Sequence, residues 1–164
     1  MSRFKLFAVI ALITLAFGVA LVGDALAGEM MKCRSIKHMT KTEVFNIGVE
    51  EGHAIFVFEA KGINNNLLGK PLFDGLLEYE VGVLDMNLKT GQGSGHGYAV
   101  FSDLAGDKIF MAWEGKLPSG TWTLVKGTGK FQGIKGNGTW SPGPATTDPN
   151  EMASNFEGEV ELPK

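Results

Sequence analysis

Gly127-Thr128-Gly129-Lys130-Phe131-Gln132-Gly133-Ile134-Lys135-Gly136-Asn137-Gly138-Thr139-Trp140 is the stretch that decides the fold. Five glycines fall within fourteen residues, and β-type segments lie on both sides. The pattern predicts a strand, a tight excursion and a returning strand, with glycine supplying positive φ and close backbone approach. A phosphate cradle is the competing reading. It fails because Gly129-Lys130-Phe131 lacks the Ser or Thr of a P-loop, and Thr139-Trp140-Ser141-Pro142 cannot open the helix such a loop requires.

Outward from that run, strand signals repeat without a helical period. Residues 42–47, 54–60, 76–85, 98–101, 108–115, 121–125, 138–140 and 156–162 read as strands, about eight in all. The first could begin as early as Cys33. Turn-forming clusters separate them: Asn64-Asn65-Asn66, Gly69-Lys70-Pro71, residues 103–107 and Leu117-Pro118-Ser119-Gly120. Residues 141–150 carry three prolines and read as a surface loop. The fold class expected is all-β: a single eight-stranded antiparallel, up-and-down barrel over residues 28–164. The last strand sets its face directly. Phe156, Gly158, Val160 and Leu162 share one side, and Glu157, Glu159 and Glu161 share the other.

Residues 1–27 read as a signal peptide. Arg3 and Lys5 form a basic start, residues 6–22 are almost wholly apolar, and Ala25-Leu26-Ala27 offers a small-x-small cleavage site before Gly28. A helix over the apolar run spans about 25 Å, short of the ~30 Å hydrocarbon core, so a retained anchor is the weaker reading. Export to the periplasm or the extracellular space is expected, with no stable membrane insertion after cleavage. The whole chain carries a net charge of −3, which offers no electrostatic footprint for nucleic acid. Its one cysteine, Cys33, excludes an internal disulfide and reads as an inert thiol near a strand start.

At Gly127-Thr128-Gly129-Lys130-Phe131-Gln132-Gly133 and the glycine-rich strand after it, the chain resembles the allene oxide cyclase-like barrel group, which includes allene oxide cyclases and dirigent proteins. The resemblance implies an eight-stranded barrel around an apolar cavity. In the enzymes of the group that cavity holds a lipid-derived epoxide or a phenolic radical product. No counterpart of a cyclase or dirigent catalytic motif is found, so no catalytic residue is carried over.

Candidate chemistry is sparse. His38, His53 and His96 show no metal-ligand spacing with each other or with Cys33, and neither a metal nor another cofactor is expected. No nucleophile elbow occurs. Gly91, Gly93, Gly95 and Gly97 alternate with Gln92, Ser94, His96 and Tyr98. Ala99 and Phe101 continue the glycine face and favour turning it inward, but the opposite phase would make His96 and Tyr98 pocket donors. Glu78 and Glu80 share a face opposite Tyr79, Val81 and Val83, so the glutamates are expected in solvent and the apolar trio in the core. Glu114 follows Phe110 and Ala112 at period two and could point into an apolar barrel mouth. Met111 and Trp113 make the other face equally apolar, leaving the phase open. Trp113 and Trp122 sit on adjacent strands, and at least one is expected inside.

The candidate ligand-binding residues are therefore Glu114, His96, Tyr98, Trp113 and Trp122. The leading function is binding of a small apolar molecule in the interior without catalysis. The alternatives are an isomerase or cyclase with polar groups at the barrel mouth, and a structural protein that oligomerises through its exterior. A deep cavity holding a buried carboxylate or histidine would favour catalysis, and a filled apolar interior the structural role.

Overall fold

Alternating inward and outward side chains on every strand close the sheet upon itself. The computed structural model describes residues 28–48 and 50–162. Its strands are β1 (Glu29–Asn46), β2 (His53–Asn66), β3 (Leu76–Asn87), β4 (Gly93–Ser102), β5 (Lys108–Lys116), β6 (Ser119–Gly127), β7 (Lys135–Pro142) and β8 (Glu151–Glu161). They pair in sequence order into a closed antiparallel barrel, with β8 returning to β1. Every strand has a partner on both sides, which limits the usual hazard of sheet-to-sheet aggregation. Residues 1–27, read as the signal peptide, lie outside the described residues.

The opening glycine run forms the end of β6, one 3-10 turn at Gly129–Phe131, and β7. Gly129 (φ 53°) and Gly133 (φ 80°) take the positive dihedrals that the excursion needs. The β6–β7 ladder extends only from Gly120–Trp140 to Thr123–Asn137. Beyond it the excursion folds Phe131 and Ile134 into one end of the barrel, where both are buried. The β2–β3 connection closes the same end with Leu72 and Phe73. Phe73 meets Phe101 edge-on at 5.3 Å. Asn66 ties this connection down, donating from Nδ2 to the Leu72 carbonyl at 2.7 Å and from its backbone N–H to Asp74 Oδ1 at 3.0 Å.

Two tryptophans and the interior glycines are fitted to one another. A Cβ at Gly82 or Gly97 would lie 2.5 or 2.6 Å from Trp113 Cζ2, and one at Gly138 or Gly158 would lie 2.6 Å from Trp122 Cζ2. Each indole therefore occupies space that only glycine leaves free. This settles the phase of β4: Gly95, Gly97, Ala99 and Phe101 face inward. It also settles β5, where Met111 and Trp113 are buried.

On β3 the expected phase is reversed. Leu76, Glu78, Glu80 and Gly82 face the interior, while Tyr79, Val81 and Val83 face outward. The exterior thus carries an apolar cross-strand row. Ile36 on β1 pairs with Ile63 on β2, which pairs with Leu77 on β3, and all three are about half exposed.

Candidate functional site

Burying Glu78 and Glu80 requires a partner, and β1 supplies it. Lys37 faces inward with Met31, Cys33 and Ser35, and it is 1% exposed. In register it lies beside Gly62 on β2, and Gly62 lies beside Glu78 on β3. A Cβ at Gly62 would come within 2.8 Å of Lys37 Cγ. Glycine at that position lets the lysine stem cross β2 and reach the two carboxylates. Lys37 Nζ forms an ion pair and hydrogen bond with Glu80 Oε2 and lies 3.4 Å from Glu78 Oε1. Ser35 donates from Oγ to Glu78 Oε2. The ammonium also stands 5.6 Å from the centroid of the Phe156 ring.

One ammonium faces two carboxylates, and the imbalance falls on Glu78. Burial raises the pKa of Glu78, and the charge of Glu80 pushes the same way. The Lys37 charge and the Ser35 hydrogen bond oppose both without reversing the shift. Burial alone would lower the pKa of Lys37, but the two glutamates more than offset it and the ammonium is held firmly charged. Glu78 is thus the member of the cluster suited to carry a proton. Glu78 Oε1 is met only by the Lys37 ammonium at 3.4 Å, and the interior acceptor Asn64 Oδ1 has no hydrogen-bond partner among the described residues.

Beside this cluster, toward the end closed by the β5–β6 turn, lies an interior cavity of about 110 Å³. Phe58, Leu84, Trp113, Trp140 and Phe156 form its apolar wall, with Lys37, Glu80 and Ser154 at its polar edge. Phe58 stacks on Trp113 at 6.2 Å, and Trp113 meets Trp140 at 5.7 Å and 78°. Trp140 Nε1 donates to the Glu114 carbonyl at 3.2 Å, whereas the buried Trp113 Nε1 has no partner in the protein.

The candidate residues read from sequence separate into two groups. Trp113 and Trp122 are both inside: Trp113 lines the cavity, and Trp122 packs beyond it, its Nε1 donating to the Thr139 carbonyl at 3.0 Å. His96, Tyr98 and Glu114 are outside. They line an exterior depression of about 370 Å³ with Thr121 and Thr123. His96 and Glu114 are direct cross-strand neighbours there, and Tyr98 is 59% exposed. The phase left open for Glu114 resolves outward because Trp113, one residue earlier, takes the glycine-lined space. The solvated placement of Glu78 and Glu80 is corrected because Lys37 compensates their burial.

Lys37, Ser35 and Asn64 were not singled out by the sequence reading. The available signal is phase: Lys37 falls in step with Met31, Cys33 and Ser35, and Glu78 and Glu80 fall in step with Leu76, Gly82 and Leu84.

Cys33 is fully buried, and desolvation, with a smaller contribution from the Asp74 charge, pushes its pKa up to about 12. It is a packing residue in the reduced form. No helix among the described residues is long and apolar enough to cross a membrane.

No family model matches the chain, and no curated protein matches it in sequence. Solved structures do match it in shape. One pterocarpan synthase dirigent protein superimposes with a TM-score of 0.50 and 11% identity, covering 82% of this chain and 91% of its own. A second has a TM-score of 0.52 and 8% identity, covering 84% and 98% respectively. The chain has the eight-stranded barrel fold of dirigent proteins.

Proposed function

We propose that this chain is an exported barrel that binds a small, largely apolar molecule in the cavity bounded by Phe58, Trp113, Trp140 and Phe156. The observation that carries this reading is the cavity itself, with aromatic walls and the Lys37–Glu80 pair at one edge. Its volume of about 110 Å³ suits a single ring or a short chain. For scale, an engineered apolar cavity of ~150 Å³ takes benzene. The ion pair gives such a ligand one polar contact and fixes its orientation. Titrating the protein with single-ring aromatics while recording tryptophan emission tests the reading, because Trp113 and Trp140 both line the cavity. Saturable quenching that is lost in Leu84→Trp, which fills the space, supports it. No response from any probe at millimolar concentration defeats it. Export is tested separately by sequencing the N-terminus of the secreted protein: Gly28 is expected, and Met1 or Ser2 would overturn it.

The buried carboxylates favour a second reading, an acid–base isomerase. Glu78, whose pKa burial raises, lies next to a second buried carboxylate, Glu80, and such a pair is the usual apparatus of proton transfer. Conversion of a bound probe, abolished by Glu80→Gln with binding retained, would place this reading first. The outer row of Ile36, Ile63 and Leu77 supports self-association as an additional property. Leu77→Lys should then lower the mass observed in native mass spectrometry.

A further inference from the structure

His38 comes together with Asp148 and Glu151 on the outer wall of the barrel, although more than a hundred residues separate it from them in sequence. His38 on β1 and Glu151 on β8 are direct partners in the antiparallel ladder. Directly opposed residues share a face, with Cβ atoms about 4.5–5.5 Å apart. Asp148 arrives from the proline-containing β7–β8 connection. One ligand atom from each of the three lies within 4.8 Å of the others.

The connection is built to hold Asp148 in place. The Glu151 backbone N–H donates to the Asp148 carbonyl at 3.0 Å, and the Met39 N–H to the Asn150 carbonyl at 2.8 Å. Thr146 Oγ1 lies 3.0 Å from the Asp148 carbonyl and 2.9 Å from that of Glu151. The Asn150 N–H donates to Asp148 Oδ1 at 2.7 Å, leaving the other carboxylate oxygen available as a ligand.

We propose that His38, Asp148 and Glu151 form a site for a borderline divalent cation of the zinc type, which clamps the β7–β8 connection to β1. One imidazole and two carboxylates match the donor set that such ions take, and two negative charges balance a divalent ion. Zinc binds such donors at about 2.0–2.2 Å. Three protein ligands leave a fourth position for water. Lys61, opposite His38 on β2, is the cation facing the site, and it biases the site toward ions held by imidazole rather than by charge alone. Met39 and Met152, which follow His38 and Glu151, both line the interior cavity. The clamp therefore also stiffens that part of the cavity wall.

The test uses untagged protein stripped with EDTA and titrated with zinc chloride by calorimetry at pH 7.5, with calcium and magnesium chlorides as comparators. One zinc per chain is expected, with a rise in Tm and slower proteolysis within residues 143–150. His38→Ala and Asp148→Asn should each weaken binding at least tenfold while leaving the metal-free Tm near that of the parent. Absence of saturable zinc binding to millimolar concentration overturns the proposal. Unchanged affinity in His38→Ala does so too, as does equal binding of calcium, which would describe a carboxylate site without the imidazole.

Discussion

Replacing Lys37 by Met is the most incisive perturbation of this barrel. The methionine keeps the length and apolar body of the lysine stem while removing the ammonium. Lys37 is 1% exposed, and the side chains of Glu78 and Glu80 are 0% and 6% exposed, so solvent cannot replace the lost partner. Breaking a buried pair from one side typically costs about 3–5 kcal/mol. The structure also sets a ceiling. Either glutamate can escape an uncompensated charge by taking a proton, and holding one protonated at pH 7 against an ordinary pKa of about 4.3 costs roughly 3.7 kcal/mol. That cost falls by about 1.4 kcal/mol per pH unit, reaching ~1 kcal/mol at pH 5. The sign follows from linkage. Carboxyls whose pKa is raised in the folded state contribute stability below their unfolded value and lose it as pH rises. Lys37→Met should therefore trail the parent by about 3–4 kcal/mol at pH 7 and by about 1 kcal/mol at pH 5. Urea unfolding followed by tryptophan emission at the two pH values measures this directly. The triple variant Lys37→Met, Glu78→Gln, Glu80→Gln should recover most of the loss at pH 7. A deficit below about 1 kcal/mol at pH 7, or one that does not change between pH 7 and pH 5, would refute the reasoning.

Three further outcomes are expected. Glu78→Gln retains an acceptor for Ser35 and removes repulsion with Glu80, so its stability relative to the parent should improve from pH 5 to pH 8, read as the difference in Tm. Gly97→Ala would place a methyl 2.2 Å from the Val81 carbonyl oxygen and 2.6 Å from Trp113 Cζ2, so a loss at or above the ~1–3 kcal/mol of ordinary overpacking is expected in chemical denaturation. Cys33, buried and with its pKa pushed up to about 12, should react with an aromatic disulfide reagent only at the rate of global unfolding; fast labelling of the native protein would contradict its placement.

Much of the architecture was legible because alternation and turn chemistry are local. The glycine run marked the β6–β7 reversal, the Phe156–Val160 alternation set the phase of β8, and Ala99 and Phe101 favoured the inward glycine face of β4 while leaving the opposite phase open. Phase became illegible wherever both faces of a strand were equally apolar or equally charged. On β5, Met111 and Trp113 compete with Phe110 and Ala112, and only the volume reserved by Gly82 and Gly97 decides between them. On β3, local pattern points to Val81 and Val83 as the buried face. The deciding contact, Lys37 reaching across Gly62, comes from another strand. A buried charge is affordable only with its partner, and a single strand does not display its partner. The same holds for His38 and Glu151, which share a ladder position that sequence spacing cannot reveal.

The placement of the polar cluster follows from how the two ends are closed. At one end Phe73, Phe101, Phe131 and Ile134 are buried in loops and strand ends, and the interior there is apolar. At the other, a bulky indole is seated on Gly82 and Gly97, and the cavity remains beside it. Trp113 packs on Phe58 and Trp140 on one side of that space, and Leu84 and Met152 line it as well. Lys37, Glu78 and Glu80 stand between the packed end and the open one. Replacing all three with leucine-sized groups would be neutral or stabilising by ordinary standards of buried ion pairs. The fold alone therefore does not require charges at these positions. Their position at the border of the cavity, with Glu80 on its lining and Glu78 behind it, is the arrangement expected if the interior engages a polar group on what enters it.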